Sequence, residues 1–490
     1  MGEKITTTAP LKSSILKARA YLEEPVSAAS LAVFRMCFAT SVIALIVEYF
    51  RQGWVEVLAS KFHFSFIPGV VPLPGVGLHV HLIMVAVFAF LIGIGLYYRF
   101  ACVLLFFSFS WIFLCEKSLY QNHIYLICLF SLLFSFVDAH NAYSIDSVRL
   151  KLLPVVPRWN IEIFKFQLVL VYFYSGLAKL NDDWLHGYPQ TKWIIDRAAK
   201  PIVAPFLAPY FADLFRASWF VPLVTFGGIV FDLTIGFLLW WQPTFWLAVI
   251  LSCVFHLLNY TLFTIDVFPF LMLSTIGLFA REDWPARLLG RWRKAEQSKS
   301  LEGITLPRTR PAVFVFICLY ISFQLLFPLR RFLYAGDTSW TERGQRFAWR
   351  MMLRDKQCKS FVMIFAHPQA AMHGVIHPEL SLTTRQLEEL YVIPDMILQF
   401  AHSAAESLEK EMGYKPIVRA RSIVSLNGRP AQNLIYMDAD LAGTQASVLP
   451  GTATWIVPLR QFPQTPTHSS LPTKQQSTTM PTKIEPAQSP

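Results

Sequence analysis

The chain has 490 residues, of which 54% are hydrophobic and 15% are charged, with a mean hydropathy of +0.43 and a formal net charge of +11. Because soluble domains carry about 25% charged residues, this composition excludes an ordinary soluble protein and predicts a polytopic protein of the lipid bilayer. The basic residues form no patch interleaved with aromatic residues, so we expect no nucleic-acid partner.

Nine apolar segments reach or approach the length of about 20 residues that a bilayer-crossing helix needs. They cover residues 29–50, 80–97, 100–115, 120–137, 161–180, 219–241, 244–262, 265–280 and 312–333. The segment 265–280 is short for a span. We therefore expect a mainly α fold, a helical membrane protein of about nine spans with a smaller α+β extramembrane domain.

Basic residues concentrate in two of the connecting loops, 138–160 and 281–311. Cytoplasmic loops of membrane proteins carry an excess of Lys and Arg. With nine spans, both loops fall on the side of the amino terminus, which we therefore expect in the cytoplasm. The polar sequence after residue 333 then faces the other side, which is the lumen of the endoplasmic reticulum in a eukaryote or the outer side of the inner membrane in a bacterium.

Composition divides the chain into four parts. We expect a polar cytoplasmic segment over 1–28, a transmembrane domain over 29–333, an outer α+β domain over 334–461, and a disordered tail over 462–490, which is rich in Pro, Thr, Ser and Gln.

The seven cysteines have neither metal-ligand spacing nor the pattern of a disulfide framework. We expect no metal, and nothing in the sequence indicates an oligomeric state.

The outer domain is predicted to combine a helix with at least three strands. The helix covers residues 384–412, and one strand covers 361–366. Two further strands, 417–425 and 430–438, flank Asn427-Gly428, a dipeptide that strongly favours a hairpin turn.

The most informative stretch runs from Tyr172 to Pro189. It ends an apolar run with Lys179 and continues with Asn181, Asp182 and further polar residues. In one interpretation the lysine reaches the membrane rim, and the stretch is an ordinary interfacial belt. In the other the amine is held inside, where loss of solvation disfavours its charged form and makes it a candidate base.

Asn122 and His123 enter the fourth apolar segment from the same side of the membrane as Lys179. They can make a structural hydrogen bond between helices, worth about 1 kcal/mol, or share a site with the lysine. The sixth segment contains a lone acid, Asp232. A carboxylate in apolar sequence needs a buried Lys or Arg as its partner.

Two other apolar segments carry polar residues. His256 and Asn259 are spaced i and i+3, which places them on one face of the seventh helix. A single histidine and an asparagine do not make a metal site. Arg35, in the first segment, either has a partner within the protein or reaches the cytoplasmic rim.

Eight motifs, in collinear order over about residues 29–460, resemble the vitamin K-dependent gamma-glutamyl carboxylases and their wider HTTM-type membrane-domain family. The motifs are Val33–Arg35, Tyr98–Leu104, Asn122–Leu126, Val137–Asp146, Phe173–Tyr188, Phe231–Leu239, Phe255–Leu273 and Trp340–Leu353.

The resemblance implies an enzyme that deprotonates reduced vitamin K, a hydroquinone, which O2 then converts to the epoxide. This conversion is coupled to removal of a γ-proton from a glutamate in a peptide or protein substrate and to addition of CO2. By resemblance, Lys179 is the base, with His123 and Asn122 as further catalytic residues. The resemblance assigns the cofactor to Met351, Met352, His256, Asn259 and Trp349, and the glutamate substrate to Trp340, Gln345 and Arg354.

The sequence departs from the family in the part of the site that the resemblance assigns to the glutamate substrate. Gln345 stands where the family has a tyrosine, and Arg354 and Lys356 stand where it has a histidine and an arginine. The chain is also expected to be a short homologue that lacks the long outer C-terminal region of the animal members. The hypothesis is that epoxidation is retained while peptide carboxylation is altered or absent.

Two alternatives remain open from the sequence. The first is a quinone epoxidase or oxidoreductase that does not carboxylate peptides. The second is a non-enzymatic transporter or scaffold, although a transporter is expected to have internal repeats and interrupted helices at matching places, and the sequence contains neither.

Overall fold

The computed structural model describes residues 8–198, 217–262, 267–292, 306–445, 451 and 453–461. The amino-terminal half contains α1 (Thr8–Glu23), β1 (Pro25–Ser27), α2 (Ala29–Arg51), α3 (Trp54–Leu58), α4 (Val76–Ile94), α5 (Tyr98–Cys115), α6 (Asn122–Phe134), α7 (Ile145–Arg149), β2 (Val155–Pro157), α8 (Trp159–Lys179), α9 (Asp182–Leu185) and α10 (Gln190–Ala198). The remainder contains α11 (Phe220–Trp240), α12 (Phe245–Leu262), α13 (Phe268–Ile276), α14 (Trp284–Trp292), α15 (Pro311–Leu326), α16 (Thr338–Thr341), β3 (Lys356–Ala366), β4 (His373–Ile376), α17 (Thr384–Leu390), α18 (Pro394–Met412), β5 (Ile417–Leu426) and β6 (Gln432–Asn433).

Seven helices in the described part of the chain are long and apolar enough to cross a membrane. They are α2, α4, α5, α8, α11, α12 and α15, the last two together with adjoining 3-10 turns at Gln242–Thr244 and Phe327–Leu333. The other two expected spans are shorter helices, since α6 has 13 residues and α13 has nine. The protein is thus a mainly helical, polytopic membrane protein.

The helix α8 lies at the centre of the helical bundle, because 83% of its apolar stretch is buried. It packs against α6, α11 and α15. The approach of α8 to α11 is close because both helices carry glycine at the contact. A Cβ atom at Gly176 would lie 2.8 Å from the Leu233 side chain, and one at Gly236 would lie 2.9 Å from the Val169 Cα. Small residues at such a contact allow two membrane helices to approach closely, and this contact sets the distance between Lys179 and Asp232.

Arg35 has its partners within the protein. The side chain is fully buried, and it donates hydrogen bonds to the carbonyl oxygens of Ala139 (2.8 Å) and Tyr143 (2.6 Å), and longer ones to Gly93 and Ala142. The sequence left open whether Arg35 has a partner within the protein or reaches the cytoplasmic rim, and the structure shows the internal partner. Arg35 holds the loop that follows α6 against the end of α4.

We expect Arg35→Met to lower the free energy of unfolding by about 3 kcal/mol or more, because hydrogen bonds to a charged group are each worth roughly 1.5–3 kcal/mol and the loop carbonyls would lose their donor. Thermal unfolding in detergent measures this effect. Arg51→Met, at an exposed ion pair with Glu48, is the control and should change stability by less than about 1 kcal/mol. Equal stability of the two variants would contradict the structural role of Arg35.

The extramembrane domain contains a four-stranded antiparallel sheet in the order β4-β3-β5-β6. The predicted strand at 361–366 is part of β3, and the hairpin at Asn427-Gly428 joins β5 to β6. Its second strand was predicted as 430–438 but is only Gln432–Asn433. The single helix predicted over 384–412 is wrong. It is divided into α17 and α18, because Pro394 lacks a backbone N–H and starts a new helix at its first turn.

Part of the sequence prediction lies outside the described residues. This applies to the tail 462–490, which was expected to be disordered, and to most of the basic loop 281–311 beyond α14. The amino-terminal segment, predicted only to be polar, contains α1 and β1. The strand β1 pairs with β2 in a small antiparallel sheet.

Candidate functional site

Lys179 is held inside the helical bundle. Its Nζ atom forms an ion pair with the carboxylate of Asp232 on α11 and donates a hydrogen bond to Ser175 Oγ, 2.8 Å away. It also lies 5.1 Å from the centroid of the Trp184 ring. The side chains of Lys179 and Asp232 are only 7% and 4% exposed. The interpretation in which the lysine reaches the rim of the membrane is therefore wrong for this structure.

The surroundings of the amine differ from an apolar pocket. A carboxylate, a hydroxyl and an aromatic ring contact it, because Ser175 lies one turn before Lys179 on the same helix face and Asp232 faces it from α11. The expectation that Asp232 needs a buried cationic partner is confirmed, and that partner is Lys179. The sequence alone does not connect the two residues, since they are 53 positions apart.

The polar residues after Lys179 build a tight turn. The Asn181 side chain accepts a hydrogen bond from the Trp184 backbone N–H (3.0 Å), which caps the short helix α9. The Trp184 indole in turn donates to the carbonyl oxygen of Thr225 on α11 (3.0 Å). These bonds fix Trp184 beside the amine of Lys179, so this stretch is part of the site's framework.

His123 and His256 flank one aromatic side chain, Phe268 at the start of α13. The two imidazole rings lie 5.8 Å and 6.0 Å from the Phe268 ring, centroid to centroid. His256 Nε2 lies 2.8 Å from the Tyr172 hydroxyl, and Tyr172 is on α8, seven residues before Lys179. Both histidines are buried. Among the described residues, no hydrogen bond or ring contact joins His123 to Lys179; Phe268 and His256 connect His123 to Tyr172, which lies on the helix that carries Lys179.

Three buried nitrogen atoms in this region have no hydrogen-bond partner among the described residues. They are His123 Nε2, His256 Nδ1 and Trp349 Nε1. An unpaired buried polar atom costs about 1–3 kcal/mol, and such atoms are few in folded proteins. His123 and His256 lie beside the Phe268 ring, and Trp349 lies beside the Tyr125 ring. These three atoms are therefore candidates to bind the polar groups of a ligand.

Asn122 connects α6 to a segment of the extramembrane domain. Its Nδ2 donates to the carbonyl oxygen of Arg350 (3.3 Å), and its Oδ1 accepts from the Tyr120 hydroxyl (3.1 Å). Next to this contact, the rings of Tyr125 and Trp349 stack with centroids 5.0 Å apart. The segment that contains the predicted quinone residues therefore lies directly on the amino-terminal end of α6.

The backbone of that segment adopts an unusual conformation. Glu342, Phe347, Trp349 and Met352 have φ angles of 62°, 57°, 56° and 52°. Residues with side chains rarely adopt positive φ, and such conformations cost of order 1–3 kcal/mol and cluster at functional sites. No sequence signal identifies this feature, because none of these residue types favours the left-handed region.

The remaining predicted residues have varied surroundings. Met351 packs against the main apolar core, while Met352 is 38% exposed and Asn259 is half-buried. The Gln345 side chain accepts a hydrogen bond from Arg350 Nε (2.8 Å). Arg350 itself is buried, and its Nη1 atom has no partner among the described residues.

Trp340 and Arg354 are held by internal partners. The Trp340 indole donates to the Val457 carbonyl oxygen (2.7 Å), and Arg354 forms an ion pair with Glu342 (3.0 Å). Lys356 Nζ also contacts Glu342 (2.9 Å), and burial lowers the pKa of this lysine to about 8 although Glu342 opposes the shift. These contacts support the shape of the segment and turn both predicted substrate residues towards the protein.

The described residues contain no group of three or more His, Cys, Asp or Glu side chains that could hold a metal ion. All seven cysteines are free thiols. The arrangement around Lys179 and the two histidines offers proton donors and acceptors beside aromatic surfaces, which suit an organic ring with polar substituents.

Fold and site together define an integral membrane protein with a polar site at the junction of its helical bundle and an extramembrane α+β domain. Comparison with known families agrees with this class. The family model for the HTTM domain matches residues 23–284, more than half of the chain, and that for the vitamin K-dependent gamma-carboxylase lumenal domain matches residues 309–461. The chain belongs to the vitamin K-dependent gamma-glutamyl carboxylase family. No solved structure matches it.

Proposed function

We propose that this protein is a vitamin K-dependent gamma-carboxylase-like enzyme whose base is Lys179. The observation that carries the proposal is the buried amine of Lys179, paired with Asp232 inside the membrane helices. Ionisable residues inside a membrane protein are costly, and they mark functional sites by default. The family assignment supplies the class of reaction, and the pair supplies a candidate for its proton acceptor.

The residues present suit reduced vitamin K as the cofactor. Its ring is flat and aromatic, its two hydroxyl groups need hydrogen-bond partners, and its tail is soluble in lipid. Phe268 and Trp349 offer aromatic faces, and His123 Nε2, His256 Nδ1 and Trp349 Nε1 are buried nitrogens with free capacity among the described residues. We infer that these groups hold the cofactor, with Met351 and Asn259 at its margin and Met352 towards solvent.

When bound, reduced vitamin K would supply the oxygen chemistry with O2, to which removal of a glutamate γ-proton and addition of CO2 would be coupled. The protein's part is to accept the first proton. A hydroquinone O–H has a phenol-like pKa of about 10. We propose that the ammonium proton of Lys179 that faces Asp232 moves to the carboxylate, and that Nζ then takes the hydroxyl proton. The pair gains one positive charge as the cofactor gains one negative charge.

His123, with Asn122 beside it, is the further catalytic residue. An imidazole nitrogen without a protein partner can hydrogen-bond the cofactor oxygen on which negative charge develops. Asn122 fixes the start of α6 through its bond to the Arg350 carbonyl oxygen. The surrounding apolar helices exclude water, which protects a strong base and a carbanion from premature protonation.

Arg350 is the best candidate to bind the carboxylate of the glutamate substrate. Its guanidinium is buried, and Nη1 has no partner among the described residues. Guanidinium groups bind carboxylates through strong charge-assisted hydrogen bonds. Gln345, which the sequence assigned to substrate binding, would act by orienting Arg350 through Nε. We place the bound glutamate on the outer, non-cytoplasmic side, in accordance with the distribution of basic loops.

A second candidate is a quinone epoxidase without peptide carboxylation. It is favoured by the contacts of Trp340 and Arg354, since both side chains are committed to partners within the protein. Incubation of the purified protein in lipid nanodiscs with reduced vitamin K, labelled bicarbonate and a short glutamate peptide separates the two. The carboxylase is expected to incorporate label as fast as epoxide forms, whereas the second candidate is expected to form epoxide without incorporating label. Equal rates would contradict the loss of coupling, and the absence of epoxide would contradict both candidates.

A further inference from the structure

The tip of the β5–β6 hairpin contacts the turn that follows Lys179. Arg429 donates two hydrogen bonds to the carboxylate of Asp183, with distances of 2.7 Å and 2.5 Å. Asn427 Nδ2 donates a third, of 2.7 Å, to the same carboxylate. The side chains of Arg429 and Asp183 are only 10% and 14% exposed. A bidentate, charge-assisted contact with little solvent around it is strong and directional.

Asp183 directly precedes Trp184, the residue whose ring lies beside the Lys179 amine. The indole also donates a hydrogen bond to the Thr225 carbonyl oxygen on α11, the helix that carries Asp232 about two turns further along. Any movement of the turn at Asp183 therefore moves a side chain that touches the proposed base. The hairpin tip, which belongs to the extramembrane domain, thus reaches the base through only two residues.

The same hairpin tip also holds the chain just after the residues of segment 342–352 with positive φ angles, the last of which is Met352. Asn427 Oδ1 accepts a hydrogen bond from the Asp355 backbone N–H (2.8 Å), and Asn427 N donates to the Asp355 carbonyl oxygen (2.9 Å). Two residues before Asp355, Leu353 packs in one small apolar cluster with Ala178 and Trp184. Asn427 is therefore bonded on one side to the turn after Lys179 and on the other to the chain that continues from Trp349 and Met352.

We propose that the hairpin tip, residues Asn427–Arg429, is a positioning latch. It holds the proposed base on α8 at a fixed position relative to the cofactor-binding segment 349–352. The inference rests on the proposed function for the roles of these two parts. The proposal gives the Asn-Gly turn and Asp183 a shared role. Neither the composition nor the spacing of the sequence connects these residues. None of the three residues of the tip touches the reacting atoms; they act through Trp184 and Leu353.

The test uses the full-length protein in nanodiscs and compares it with variants of this contact. Arg429→Ala and Asp183→Asn each remove the charged contact. The exchange Asp183→Arg with Arg429→Asp restores an ion pair of reversed polarity. Lys117→Ala is the matched control, because Lys117 also joins the membrane-side chain to the extramembrane domain, through Asp395 (3.2 Å) and Gln399 (2.9 Å), without contacting Trp184.

Two readouts separate the latch from the proposed function. Hydrogen exchange over residues 181–187 should become faster in Arg429→Ala and in Asp183→Asn. It should remain slow in Lys117→Ala, and it should be slow again in the double variant with reversed charges. The turnover rate of epoxide formation per folded molecule should fall roughly 10- to 100-fold in the two single variants, because small misplacements of catalytic groups have effects of this size. The loss should appear in kcat rather than in KM for the hydroquinone.

Unchanged exchange over 181–187 in both single variants would overturn the latch, whatever the activity. Wild-type turnover in both would overturn it as well, provided that the wild-type protein forms epoxide. If the wild-type protein forms no epoxide but exchange changes as expected, the latch stands as a structural coupling and the proposed function fails. Combining Arg429→Ala with Asp183→Asn should reduce turnover no further than either single change, since the two residues form one contact.

Discussion

Lys179→Met is expected to lower the rate of epoxide formation by about 100-fold or more, because a positioned general base contributes roughly 10²–10⁴-fold. Methionine has a similar length and keeps the apolar packing, but it cannot accept the hydroxyl proton. The measurement is the initial rate of epoxide formation from reduced vitamin K, normalised to the amount of folded protein.

Lys165→Met is the matched control for this prediction. Lys165 lies on the same helix, is also buried, and pairs with a carboxylate, Glu162, at 3.0 Å. Both changes therefore leave a buried acid without its cationic partner, and both should destabilise the fold. Only the change at Lys179 should reduce the rate per folded molecule. Equal losses in the two variants would show that the rate reflects folding, and the proposed role of Lys179 would be wrong.

Asp232→Val is expected to lower the free energy of unfolding by about 3–5 kcal/mol, the usual cost of leaving one member of a buried ion pair alone. The remaining amine would keep Ser175 and the Trp184 ring as neighbours, but it would lose the carboxylate that neutralises it. Thermal unfolding in detergent, followed through the loss of tertiary structure, measures the change. Epoxide formation should fall too, because the proposed acceptor of the ammonium proton is gone.

The double variant Lys179→Met with Asp232→Val separates stability from activity. Replacing both members of a buried ion pair by apolar residues is often neutral or stabilising. We therefore expect the double variant to regain most of the stability lost in Asp232→Val while forming no epoxide above background. A double variant as unstable as Asp232→Val would contradict the view that the unpaired charge causes the loss.

Several parts of the fold could be predicted because their signals are local. The apolar segments follow from composition, since about 20 consecutive apolar residues suit the bilayer and little else. The hairpin follows from Asn427-Gly428, because these residues accept the positive φ angles that its turn needs. The division of the predicted helix 384–412 at Pro394 also has a local cause. The apolar periodicity continues through Pro394, and for this reason the sequence predicted a single helix.

The candidate site could be predicted only in part. The residues were singled out one at a time, as polar side chains in apolar sequence or through the resemblance to a family. Their neighbours could not be predicted, because the pairing of Lys179 with Asp232 depends on the close approach of α8 and α11 at Gly176 and Gly236. The unpaired guanidinium nitrogen of Arg350 likewise depends on which acids the fold brings near it, and the described residues bring none to Nη1.

The sequence by itself determined that this is a helical membrane protein of the carboxylase family, because hydrophobicity and collinear motifs are properties of the linear chain. Only the tertiary structure decided whether Lys179 lies in water or in the protein interior, and which residue balances its charge. The physical reason is that burial and ion pairing depend on distances between residues far apart in the chain. The contact of the hairpin with Asp183 joins residues 246 positions apart, and no local pattern specifies such a distance.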